Sequence, residues 1–167
     1  MTVSAFAPQR ISTCLWFDDQ AEEAVNSYVG LFEDSRILDV TRHGDAGPGP
    51  EGSVLSVTFQ LEGRQFVALN GGPNFKSTEA QSMYVRCDDQ AEVDRLWSAL
   101  SADGGTPGNG GRLKDRYGLS WQIIPSALER LLADPDPARA KRAKAAMQKM
   151  DKIDIAAIEK AAGEGQS

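Results

Sequence analysis

The chain has 167 residues, 41% hydrophobic and 25% charged, the composition of a globular protein large enough to bury one core without metal or disulfide support. A net charge of −6 argues against nucleic acid as a partner, since a phosphate-neutralising face calls for the opposite sign. No apolar run approaches the roughly 20 residues of a membrane span, and two cysteines, Cys14 and Cys87, make no disulfide framework.

The N-terminal stretch MTVSAFAPQR lacks a basic start followed by an apolar core, so no secretion signal is expected, and the thiols fit a cytoplasmic location. The alternating segment ISTCLWF then predicts a strand, and FDDQAEEAVNSYVGLF predicts a helix opened by Asp19 three residues before Glu22. Ala21, Ala24, Val25, Tyr28, Val29 and Phe32 line its apolar face. Three strands follow in SRILDVTRH, SVLSVTFQLEG and RQFVALNGG, with a Gly/Pro-rich loop at 44–52 and a tight Leu-Glu-Gly-Arg hairpin.

The run DDQAE returns at residues 88–92, again behind an alternating segment, AQSMYVRC, and again before helical spacing in Val93, Leu96, Trp97 and Leu100. The common offset pairs Thr13 with Met83, Leu15 with Val85 and Phe17 with Cys87 on the helix-facing side. Ser12 with Ser82, Cys14 with Tyr84 and Trp16 with Arg86 take the other face. A slip of one residue in the first strand exchanges Ser12 for Thr13. GGTPGNGGRLKD supplies a short strand, Asp115 to Gly118 a polar turn, and LSWQIIP a last strand.

Beyond Pro125 three helix starts are marked: Ser126 with Glu129 as a capping box, Asp136 before Pro137, and Asp154 ahead of DIAAIEKAA. The apolar faces of this tail (Leu128, Leu131, Leu132; Met147, Met150; Ile155, Ile158) must be covered by this domain or by a second subunit. Its basic run, from Arg139 to Lys152, reads as a solvated helix face. The fold class expected is α+β: a βαβββ module at 1–74, a second module at 75–125, and C-terminal helices at 126–167, together one domain.

The segments LWFDDQAEEAVNSYVGLFEDSRI, NGGPNFKSTEA, LKDRYGLSWQIIP and DPDPARAKRAKAAMQKMDKIDIAAIE resemble the PhnB-like branch of the vicinal oxygen chelate superfamily, often labelled 3-demethylubiquinone-9 3-methyltransferase. The resemblance implies paired βαβββ modules around a cleft (the glyoxalase/bleomycin-resistance fold), usually as a homodimer. Ser77 and Gly110-Gly111-Arg112 depart from the branch, which has an aromatic at the first place and Cys-Gly-Trp at the second.

Superfamily enzymes hold a divalent metal on the first, fourth, fifth and eighth strands, positions that the resemblance maps to Ser12 (or Thr13), Asn70 (or Ala68), Ser82 and Gln122. None carries a carboxylate or imidazole, so no metal and no cofactor is expected. His43 is the only histidine and reads as a surface residue. Methyl transfer from a nucleotide-bearing donor calls for a glycine loop between strand and helix, and the glycines here sit elsewhere. The expected site is a cleft between modules lined by Ser12, Cys14, Trp16, Phe66, Asn70, Ser82, Tyr84 and Gln122, with Asn70 and Gln122 orienting a small organic molecule and Trp16 and Tyr84 stacking on it. Two alternatives stay open: an enzyme working by metal or by Asp115 as base, and a cleft filled by a partner's tail through Ile155 and Ile158.

Overall fold

In the computed structural model, residues 6–164 are described; the opening of the N-terminal stretch read above for a secretion signal, residues 1–5, lies outside them, as do residues 165–167. The chain divides into two compact units, Met1–Ser77 and Thr78–Ser167.

The first unit runs β1 (Thr13–Phe17), α1 (Ala21–Val29), β2 (Arg36–Arg42), β3 (Val54–Leu61) and β4 (Arg64–Asn70). Its sheet has the order β1-β4-β3-β2, with β1 parallel to β4 and the remaining pairs antiparallel. Val57, Phe59, Leu61, Phe66 and Ala68 are buried, as are Ala21, Ala24, Val25 and Tyr28 of α1, so one sheet face and one helix stripe make the core. The register Thr13 to Phe66 and Leu15 to Ala68 places Thr13, Leu15 and Phe17 on that same face.

The expected Asp19 cap of α1 is replaced by a different device. Gln20 occupies the N-cap position with no side-chain cap bond, and the Ala21 N–H donates instead to Asn70 Oδ1 at 2.8 Å. A side chain from β4 therefore satisfies a helix end that Asp19 does not reach. The loop at 44–52 folds back on His43, whose N–H donates to Ser53 O at 2.8 Å and whose carbonyl accepts from Gly52 N at 2.9 Å.

The second unit repeats the plan: β5 (Met83–Cys87), α2 (Gln90–Ser101), β6 (Thr106–Pro107), β7 (Arg112–Lys114) and β8 (Ser120–Pro125), in the order β5-β8-β7-β6. The strand hidden in the Gly-rich stretch is β6, only two residues long. Here Asp89 does cap the helix, accepting from Glu92 N at 2.9 Å, while Glu92 Oε2 reaches back to Asp88 N at 3.0 Å. Val93, Leu96 and Leu100 of α2 are buried, together with Cys87, Leu113, Trp121 and Ile123 from the strands.

Three helices complete the unit: α3 (Ser126–Leu132), α4 (Pro137–Met147) and α5 (Ile155–Gly163). Asp136 and Asp154 cap α4 and α5 as read, at 2.9 Å and 3.1 Å. The Ser126 capping box does not form, because Pro125 takes the N-cap position and Glu129 turns away to other partners. Leu128, Ile153 and Ile158 bury themselves with Ile124, Ala143 and Ala162, which covers the tail's apolar faces within this unit. Each of those larger side chains contributes about 1.5–3 kcal/mol relative to exposure. Leu132 remains 38% exposed.

The tail is also tied by hydrogen bonds. Gly110 and Gly111 donate to Met150 O and Asp151 O at 2.6 and 2.8 Å. Gly111 has φ of 83°, and a Cβ there would lie 3.0 Å from Ile153 Cγ1, so glycine lets the tail approach this closely. Gln90, in the second DDQAE, donates to Ile153 O at 2.9 Å and accepts from Ile155 N at 2.8 Å.

Candidate functional site

In the first unit Ser12 and Cys14 are exposed, with Cys14 and Trp16 on the sheet face away from α1. Trp16 Nε1 donates to Gly72 O at 2.9 Å, and its ring lies so close over Gly71 that a Cβ would fall 2.2 Å from it. Phe75 meets it edge-on at 4.9 Å. Trp16 is thus committed to holding the Asn-Gly-Gly-Pro turn.

Two expected cleft residues lie elsewhere. Phe66 is 8% exposed and stacks on Phe59 at 5.3 Å in the core, because the alternation of β4 turns it toward α1. Asn70 shares that parity, and both ends of its amide are occupied: Oδ1 by Ala21 N, and Nδ2 by donation to Val54 O at 3.1 Å. Its pattern is that of a helix-capping residue.

In the second unit Ser82, Tyr84 and Gln122 come together. They line a hollow of about 860 Å³ on the sheet face away from α2. The register sets Tyr84 opposite Gln122 and Gln122 opposite Arg112, so the three form one row across β5, β8 and β7. Ser120 and Lys114 pair in the row beside it. Gln122 Nε2 donates to Ser82 Oγ at 2.8 Å. Ile124, Leu128, Leu132 and Met147 give the hollow an apolar end.

Glu129 from α3 accepts from Tyr84 Oη at 2.9 Å and pairs with Arg86 Nε at 2.9 Å. Burial, then the Glu129 hydrogen bond, raise the Tyr84 phenol above its usual range, and the Arg86 hydrogen bond holds the Glu129 carboxylate below its own. Lys114 pairs with Glu79 at 3.0 Å.

Asp115 is 5% exposed and does not line the hollow. Its carboxylate accepts from Tyr117 N, Leu119 N and Trp121 Nε1 at 2.9, 3.0 and 2.9 Å, the work of a turn residue. Burial raises both thiols, that of Cys87 up to about 12.

Sequence reasoning missed Arg112, Lys114, Ser120 and Glu129. The three-residue β7 is too short to show alternation, and Glu129 carries the spacing of a cap that the fold does not use. The one signal available was Arg112 itself, a cation at a place where the resemblance implies an aromatic.

The four positions that the resemblance assigns to a metal do not fit one. Ser12, Asn70, Ser82 and Gln122 offer neutral hydroxyls and amides, and the Asn70 oxygen is already engaged with a helix end. Among the described residues no three of His, Cys, Asp and Glu gather as a metal cluster.

Two βαβββ units of identical strand order define a protein of the glyoxalase/bleomycin-resistance fold. A family model described as 3-demethylubiquinone-9 3-methyltransferase matches residues 9–124. The chain belongs to that family, the PhnB-like branch of the vicinal oxygen chelate superfamily. A solved structure described as a putative 3-demethylubiquinone-9 3-methyltransferase, PhnB protein, from Bacillus cereus is 36% identical; the match covers 70% of this chain and 99% of that one, with a TM-score of 0.65. Protein PA1353 from Pseudomonas aeruginosa is 20% identical over 71% of this chain and 98% of that one, with a TM-score of 0.58. No protein of curated function matches the chain. The family model ends at residue 124, so α3, α4 and α5 lie beyond it, although the tail was part of the resemblance read from the sequence.

Proposed function

We propose that the protein binds a small organic ligand in the hollow of its second unit, without a metal. The observation that carries this reading is the row Tyr84-Gln122-Arg112 on the hollow's floor, set beside the apolar end made by Ile124, Leu128, Leu132 and Met147. A few convergent polar groups beside an apolar wall, in about 860 Å³, suit a small molecule that needs both orientation and burial. Gln122 keeps its amide oxygen for the ligand while its nitrogen is held by Ser82. Tyr84, 45% exposed, offers a ring face.

The family description names a methyltransferase, but the mixed four-stranded sheets here are not the doubly wound parallel sheet on which adenosyl cofactors bind, and we assign no methyl transfer. A homodimer in the cytoplasm is the setting we propose. No helix of the described residues is long and apolar enough to cross a membrane.

A thermal-shift screen of aromatic and aliphatic metabolites tests the reading, since a ligand at about 100 times its Kd adds about 2.7 kcal/mol of stability. The shift is expected to vanish in Gln122→Ala while that variant still unfolds cooperatively. Near-stoichiometric transition metal in tag-free protein purified without chelator, or a ligand shift untouched by Gln122→Ala, would count against it.

A further inference from the structure

The hollow of the second unit holds one positive charge that nothing cancels. Arg86 is paired with Glu129 and Lys114 with Glu79. The Arg112 guanidinium, on the same sheet face, makes no hydrogen bond or ion pair with any described residue. Diagonally across from it on β8, opposite Lys114, Ser120 is 6% exposed, and its Oγ is the one buried side-chain oxygen or nitrogen among the described residues without a hydrogen-bond partner. Buried hydroxyls are nearly always bonded, so an unused one on the floor of a hollow points to a ligand atom. Both residues face the same side, Arg112 across from Gln122 and Ser120 two residues before it.

We infer that the hollow selects an organic carboxylate, taken by Arg112 and Ser120, with its apolar body laid along Ile124, Leu128, Leu132 and Met147. This rests on the ligand-binding reading above and adds the charge and polarity of the ligand. A planar guanidinium matches a carboxylate through two parallel N–H···O bonds, and a single uncancelled cation suits a monoanion better than a doubly charged phosphate. The amphipathic layout fixes direction: polar head over β7 and β8, apolar end under α3 and α4. The protein's net charge of −6 repels anions in general, so any preference for an acid must come from this local arrangement.

Titration calorimetry at neutral pH with octanoate, 4-phenylbutanoate and the primary amide of each decides the matter. The acids are expected to bind at least tenfold more tightly than the amides. Arg112→Gln, at an exposed position, should erase that preference without abolishing amide binding, and Ser120→Ala should weaken the acids severalfold while leaving the amides unchanged. Acid and amide binding equally to the unmodified protein would overturn the carboxylate assignment and leave the ligand-binding reading standing. Failure of all four probes, together with an empty thermal-shift screen, would overturn both.

Discussion

Replacing Asp115 by alanine is the sharpest test of how the second unit holds its site. The carboxylate ties the β7–β8 turn to the core by accepting from two backbone N–H groups and from the Trp121 indole. Two of these bonds, those of Leu119 and Trp121, are buried, so alanine leaves two donors with no access to water. Each stranded donor costs about 1–3 kcal/mol, and relief from dehydrating a carboxylate offsets part of the total. The expected loss is about 3 kcal/mol, or roughly 6–12 °C in Tm for a chain of this length. Urea unfolding followed by circular dichroism measures the loss, and the Trp121 indole N–H resonance reports the broken bond directly. Asp115→Asn should fall between, since one end of its amide must present a donor to a donor. A loss under about 1 kcal/mol in the alanine variant, with the indole resonance unmoved, would refute the account of this turn.

Three further outcomes are expected. Gln90→Ala should speed amide exchange across residues 150–164 by releasing Ile153 O and Ile155 N, a local loss of about 1–2 kcal/mol, whereas Gln20→Ala, at the matching exposed position, should change nothing. Ellman's reagent should titrate the exposed Cys14 in the native protein and Cys87 only after denaturation, because burial pushes the Cys87 thiol up to about 12. The same shift has a sign for stability: Cys87 keeps its proton in the folded chain, so its contribution is complete below the ordinary thiol value of 9.0 and is lost as pH rises toward 12. Cys87→Ala should show a flatter stability profile over that interval.

The duplication was legible because it repeats in pattern as well as in letters: the strand alternation and helix period that surround DDQAE at residue 18 surround it again at residue 88. Parity in β1 and β5 followed from the shared offset, and it placed Tyr84 and Ser82 on the open face. Parity in β4 is not legible, since the four consecutive apolar residues Phe66 to Leu69 give no alternation to show which side faces α1; the structure turns Phe66 and Asn70 to that side. The caps show a second limit. Asp19 and Asp89 have identical neighbours, yet only Asp89 caps, because in the first unit Asn70 arrives from β4 to take the helix end. No local window contains that competitor.

The same local identity with different outcome bears on how the second half builds its hollow. Gln20 is an exposed helix start, whereas Gln90 is a clamp on the tail, and the difference is the tail itself. Helix α3 begins directly after β8, so the C-terminal helices have the second sheet as their immediate neighbour, and Gly110 and Gly111 let them approach it closely. The first sheet has no such extension following β4, where the chain turns at once through Gly71 and Gly72. The wall of the hollow (Leu128, Glu129, Leu132, Met147 and Gln148) is therefore supplied by residues after 124, beyond the segment the family model matches, while its floor lies within that segment. Floor and wall have separate sources: the strands carry the polar row, and the helices after 124 carry Leu128, Leu132 and Met147 of the apolar end. On the proposed reading, the tail sets the size and hydrophobicity of the ligand and Arg112 on β7 its charge.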